Sequence, residues 1–196
     1  MTWRTRPDSP YRALITVGLA ITFAGSNQAT AKYSKDAEMT QPPMTLWQTI
    51  DTLAQQIPFT QAKIERLLGV ALSDTDPRTL VFQPTSSRFL EGGPVTLAND
   101  VEIENVDLRV KHREGHPGFL VLNLSGRCID LGTVRVHYLN LRVTDRPRGR
   151  SLDEVTSYTT VLPWGELSFS FKERNPDCLS SIAFAPMTGK TNTPAN

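Results

Sequence analysis

The hydrophobic period of this chain changes once, at Asp76-Pro77, and that change governs what it can fold into. Before it, Leu46, Ile50, Leu53 and Ile57 recur at alternating steps of four and three residues, which is one face of a helix. Pro58 must end that helix, because proline lacks the amide proton and its ring clashes with the preceding turn. Thr60 is a suitable cap for a second short helix, with Ile64, Leu67 and Leu68 inside it. Gly69 supplies the left-handed residue that closes it. Two short helices cannot bury their stripes alone and need a partner surface.

Beyond Asp76-Pro77 the apolar residues alternate, the period of half-buried strands. Strands are expected at Leu80–Phe82, Val95–Leu97 and Val101–Ile103, with a turn at Gly92-Gly93-Pro94. The alternation then slips, so that Val106, Leu108 and Val110 share a face, which places a bulge near Glu104-Asn105. Arg113–Gly118 has turn chemistry, and Phe119–Leu124 pairs back antiparallel. Residues 130–138 fit a helix begun by Asp130 and a strand equally well; the reading taken is a short helix, then a strand over Asn140–Thr144. Val155–Leu162 and Glu166–Phe171 form two further strands around Pro163-Trp164-Gly165, and Leu179–Phe184 is the last. Helices first and strands afterwards predict an α+β domain, an N-terminal helical hairpin packed on a largely antiparallel β-sheet.

Arg4, Arg6 and Arg12 precede an apolar run, Ala13–Ala24, and the small residues Ala29 and Ala31 flank Thr30. A basic start, a short apolar centre and an A-x-A site are the parts of a secretory signal peptide. The run falls short of the about 20 residues a spanning helix needs. Cleavage is expected after Ala31, giving a periplasmic or secreted protein that starts at Lys32. The expected organisation is a signal peptide over 1–31, a polar linker over 32–43, one domain over 44–186 and a disordered tail over 187–196. Removing residues 1–31 takes three arginines and one aspartate from totals of 21 basic and 20 acidic residues, so the remainder is close to neutral. A near-neutral chain has no global field to attract nucleic acid, and no second apolar stretch reaches membrane-spanning length.

Cys128 and Cys178 are the only cysteines, and in an exported chain such a pair is most simply a disulfide. Closing that loop is worth roughly 4 kcal/mol on the chain-entropy argument. A catalytic thiol would instead need a histidine poised beside it. The histidines are His112, His116 and His137; the first two have H-x₃-H spacing, but Pro117-Gly118 follows and a helix is not expected there. His112 and His116 are taken as turn residues in solvent, His137 brings no nearby carboxylate pattern, and no metal or cofactor is expected. No G-x-S-x-G elbow or S-x-x-K occurs, and Ser125, Ser151 and Ser168 have no base assigned. Glu102, Glu104, Asp153, Glu154 and Glu166 are available carboxylates, set at no defined separation.

Arg142, Arg146, Arg148 and Arg150 crowd around Pro147 and Gly149. Such a loop can grip carboxylates or phosphates in bidentate fashion, or it can be a solvated loop balanced by Asp145, Asp153 and Glu154. Trp164 at its turn, and Trp47 outside the apolar stripe of the first helix, are possible contact anchors. In general plan the chain resembles the exported immunity proteins that bacteria keep against toxins delivered by neighbouring cells. The resemblance covers the plan of the mature chain and carries over no individual residue. It implies a protein-binding module that neutralises a toxin or an envelope enzyme, and is no enzyme itself. Arg142, Arg146, Arg148, Arg150 and Trp164 are then the residues expected to meet an acidic partner surface. Two other readings remain open: a small envelope hydrolase built from dispersed histidines and carboxylates, and a binder of a small anionic ligand.

Overall fold

A computed structural model describes residues 43–76, 87–111 and 115–188. The proposed signal peptide, nearly all of the linker, the expected strand at Leu80–Phe82, His112 and most of the tail lie outside the described residues. Among the described residues are three α-helices, a large antiparallel sheet and one disulfide, an α+β plan in its coarse form. All of them fall within one compact unit, Thr40–Asn196.

The helices start and stop where side chains satisfy free backbone groups. Helix α1 (Leu46–Ala54) begins with a capping box: the Thr45 hydroxyl accepts from the Gln48 amide, and the Gln48 side chain accepts from the Thr45 amide. Helix α2 (Gln61–Leu68) is capped by the Thr60 hydroxyl and closed by Gly69 at φ +66°. Leu46, Ile50 and Leu53 of the first stripe and Ile64 and Leu68 of the second are buried. Each such side chain is worth about 1.5–3 kcal/mol of burial. They share one apolar cluster with Leu90, Leu108, Leu122, Phe169 and Phe184. Phe59, between the helices, meets Phe184 edge-on at 5.9 Å, and its amide donates to the Pro117 carbonyl at 2.8 Å.

The sheet consists of β1 (Ser73–Asp74), β2 (Ser87–Gly92), β3 (Val95–Thr96), β4 (Val101–Lys111), β5 (Phe119–Gly126), β6 (Arg142–Asp145), β7 (Val155–Leu162), β8 (Gly165–Lys172) and β9 (Leu179–Pro186). Its order is β1-β2-β4-β5-β9-β8-β7-β6, with β3 beside β4. Two meanders are therefore joined back to back. The first runs inward from β1 to β5. Helix α3 (Leu131–His137) then precedes the far edge, β6, from which the chain steps back through β7 and β8 to pair β9 with β5.

Cys128 follows β5 and Cys178 precedes β9, and their bridge, closing a separation of 50 residues, spans a Cα–Cα distance of 5.0 Å. The strand that is last in sequence is thus central in space, and the bridge ties the junction between the meanders. At the same end, Gly126 adopts φ +81°, and a Cβ there would lie 2.3 Å from the Asp100 carbonyl oxygen. Only glycine lets β5 pass so close to that turn.

Several expectations meet the structure in detail. The bulge falls between Ile103 and Asn105, within one continuous β4. Residues 131–137 are helix, because the Asp130 carboxylate accepts the Thr133 amide at 2.6 Å; that bond holds the Asp130 carboxyl below the usual aspartate range. Strand β2 was not anticipated. Its Phe89 and Leu90 are adjacent and face opposite sides, which hides the alternation. Ser170, out of phase with the core residues Phe169 and Phe171, is nonetheless buried, with its hydroxyl 2.9 Å from that of Ser157. Beside it runs a second hydroxyl row, Thr144 to Thr159 at 2.7 Å and Thr159 to Ser168 at 2.7 Å. These rows satisfy polar groups on the face away from Phe169 and fix the register of β6, β7 and β8.

Candidate functional site

Strand β6 ends the strand order, and all four of its residues are exposed. Among the described residues no strand pairs with its outer side, so that edge presents backbone donors and acceptors without a ladder partner. Arg142 stands opposite Thr159 and shares the hydroxyl face; Val143 stands opposite Tyr158 on the other face. Val143 is 40% exposed, and two more apolar side chains in the approach to β6 project further, Val136 at 79% and Leu139 at 75%. The approach is held by a bond from the Thr160 hydroxyl to the Leu139 carbonyl at 3.2 Å.

The loop after β6 carries the arginines, and its carboxylates are engaged elsewhere. Asp145 accepts the Arg146 amide at 2.9 Å, and Glu154 accepts the amides of Arg148 at 2.5 Å and Arg150 at 3.4 Å. Asp153 meets Arg174 at 2.7 Å and Lys172 at 3.8 Å. Main-chain bonds of 2.9 Å from Glu173 to Glu154 and from Arg174 to Leu152 fasten the loop to the turn after β8. Among the described residues, no ion pair or side-chain hydrogen bond engages the guanidinium groups of Arg142, Arg146, Arg148 or Arg150. Local carboxylates order the backbone, then, and leave the four guanidinium groups without a partner among the described residues.

Trp164 is not part of this cluster. It lies at the turn beyond the far end of β7, an eight-residue strand, so roughly 23 Å separates it from the arginine loop at strand spacing. There it is half-buried and stacked on Phe184, with centroids 5.8 Å apart, closing one end of the core. Trp47 is also packed, its ring 3.9 Å from that of His137.

The remaining candidates stay apart. His116, expected in solvent, is half-buried and its Nδ1 accepts the Gly118 amide at 3.1 Å; burial pushes its pKa down, and Lys111 adds to the shift. His137 ends α3, on a different element. Glu102 and Glu104 sit on β4 and Glu166 on β8, with β5 and β9 between them. Burial raises Tyr138 to about 12, with Asp51 adding to the effect. Among the described residues, no three His, Cys, Asp or Glu side chains are grouped to hold a metal ion.

Sequence reasoning singled out the arginines but missed the exposed edge beside them. The available signal was Val143 between Arg142 and Thr144, an alternation inside a stretch taken as a simple strand. The chain matches no family model, no curated protein and no solved structure.

Proposed function

We propose that this is an exported protein-binding module that grips an acidic surface of another protein through Arg142, Arg146, Arg148 and Arg150. One observation carries the reading: every carboxylate of that loop is engaged by backbone amides or by Lys172 and Arg174, while the four guanidinium groups have no partner among the described residues. A guanidinium presents rigidly forked donors that match a carboxylate bidentately, and a loop already fastened at both ends loses little freedom on binding. In this reading the N-terminal helices cover the apolar face of the sheet and leave β6 free. The Cys128–Cys178 bridge supports work in an oxidising compartment. Capture of a toxin or an envelope enzyme, as an immunity or inhibitor protein does, is the role such a module fits.

The test is capture from envelope extracts by the tagged chain and by the variant R146A/R148A/R150A, with captured protein identified by mass. The variant should keep the wild-type melting temperature and lose at least tenfold in affinity for an acidic protein, about 1.4 kcal/mol. Bait recovered from the envelope should begin at Lys32. Equal capture by both forms would remove the loop from the reading.

A further inference from the structure

We infer that the β6 edge takes up an extended segment of the partner as an added strand, one in which acidic and apolar residues alternate. The inference rests on the proposed function and specifies how the arginine loop is used. Strand addition needs an edge with free backbone groups, flanked by side chains that can read alternate residues of the incoming chain. Strand β6 has both among the described residues: no strand on its outer side, and exposure at every position.

Arg142 and Val143 lie on opposite faces of the sheet, as their partners Thr159 and Tyr158 do. Successive side chains of an added strand alternate between the same two faces. Those beside Arg142 meet a guanidinium with no partner among the described residues, which selects glutamate or aspartate. Those on the other face meet Val143, which is 40% exposed and selects apolar side chains. Arg146, Arg148 and Arg150 follow in the exposed loop after β6, where a longer acidic segment would meet them.

Charge decides against a second copy of this chain as the occupant. A second copy would bring four more guanidinium groups to this edge, while its Asp145, Asp153 and Glu154 are already engaged by backbone amides or by Lys172 and Arg174. Like charges without free carboxylate partners would then crowd the edge, which disfavours that occupant.

The experiment uses the full chain and a blocked octapeptide of alternating glutamate and valine at low salt, read by titration and by amide exchange at β6. Controls are the lysine–valine peptide and two N-methylated forms, one methylated on every glutamate amide and one on every valine amide. In an extended chain each form blocks a single edge of the peptide. The parent should bind, the lysine peptide should not, and one methylated form alone should lose tenfold or more. The amides on the outer side of β6 should gain protection with the parent. Equal binding by both methylated forms would overturn strand addition and leave charge capture by the loop standing. No binding by the parent would also overturn it, and self-association of the chain in the same titration would name a second copy as the occupant. The proposed function is judged separately, by capture with R146A/R148A/R150A.

Discussion

Arg88 and Arg109 on the β1 side of the sheet are fully engaged. The Arg88 guanidinium forks onto Asp74, at 2.8 Å from one nitrogen with a second bond beside it, and reaches the Gln61 side chain at 3.1 Å. Arg109 meets Asp107 at 2.6 Å while lying over the rings of Phe89 and Phe119 at 5.3 and 5.4 Å. On the β6 side the same residue type at Arg142, Arg146, Arg148 and Arg150 has no such partner among the described residues. The two edges differ in shape as well: β1 has two residues, whereas β6 offers four, all exposed. Arginine count alone therefore says little about binding. What distinguishes a surface from a brace is whether neighbouring carboxylates take the guanidinium or the backbone.

The largest expected effect concerns the junction between the two sides. Replacing Cys128 and Cys178 together by alanine should cost roughly 4 kcal/mol in urea unfolding, because the loop they close is long. Partner capture by the folded double variant should persist, since the β6 edge does not touch the bridge. Loss of capture at full folding would mean that the edges are coupled. Next in size is Arg109→Ala. It strips two aromatic faces of their cation and leaves Asp107 without its ion pair, at about 1 kcal/mol in stability, with capture unchanged. Stability loss without binding loss is the converse of what R146A/R148A/R150A should show, and an equal loss of both in either variant would dissolve the distinction.

The smallest effect is at Arg88. Its hydrogen bond to Asp74 holds that carboxyl below the usual aspartate range, with attraction between their charges adding to it. A lowered carboxyl stabilises the fold above its unfolded value, and that contribution is lost as pH falls through the folded value. Arg88→Ala should therefore lie slightly below wild type near neutrality and converge with it in acid, as followed by melting temperature against pH. Both side chains are exposed, so solvent screening keeps the gap small. A gap that widens on acidification would reverse the sign.

The parts of this fold legible in the sequence are those set by neighbours in the chain. Thr60 and Gly69 mark helix ends through local hydrogen bonding, whereas α1 already ends at Ala54, short of the expected stop at Pro58; the slip at Glu104 marks a bulge because side-chain period is a local property. Cys128 and Cys178 could pair only with each other. The position of β6 at an edge was not legible, since strand order depends on β9 returning to the centre of the sheet. Nor was the difference between Arg109 and Arg148. Both have acidic neighbours in sequence, but Glu154 turns to amides, and Asp153 turns to Arg174 across the next turn. Trp47 and Trp164 looked available because each stands off an apolar pattern; His137 and Phe184 occupy their rings through contacts distant in sequence.

The most direct measurement is hydrogen–deuterium exchange of the chain free and bound to its captured protein. Protection gained over residues 142–150, with none at Ser73–Asp74 or around Arg88 and Arg109, is the expected pattern. Protection confined to the β1 side, with 142–150 exchanging as in the free chain, would contradict it.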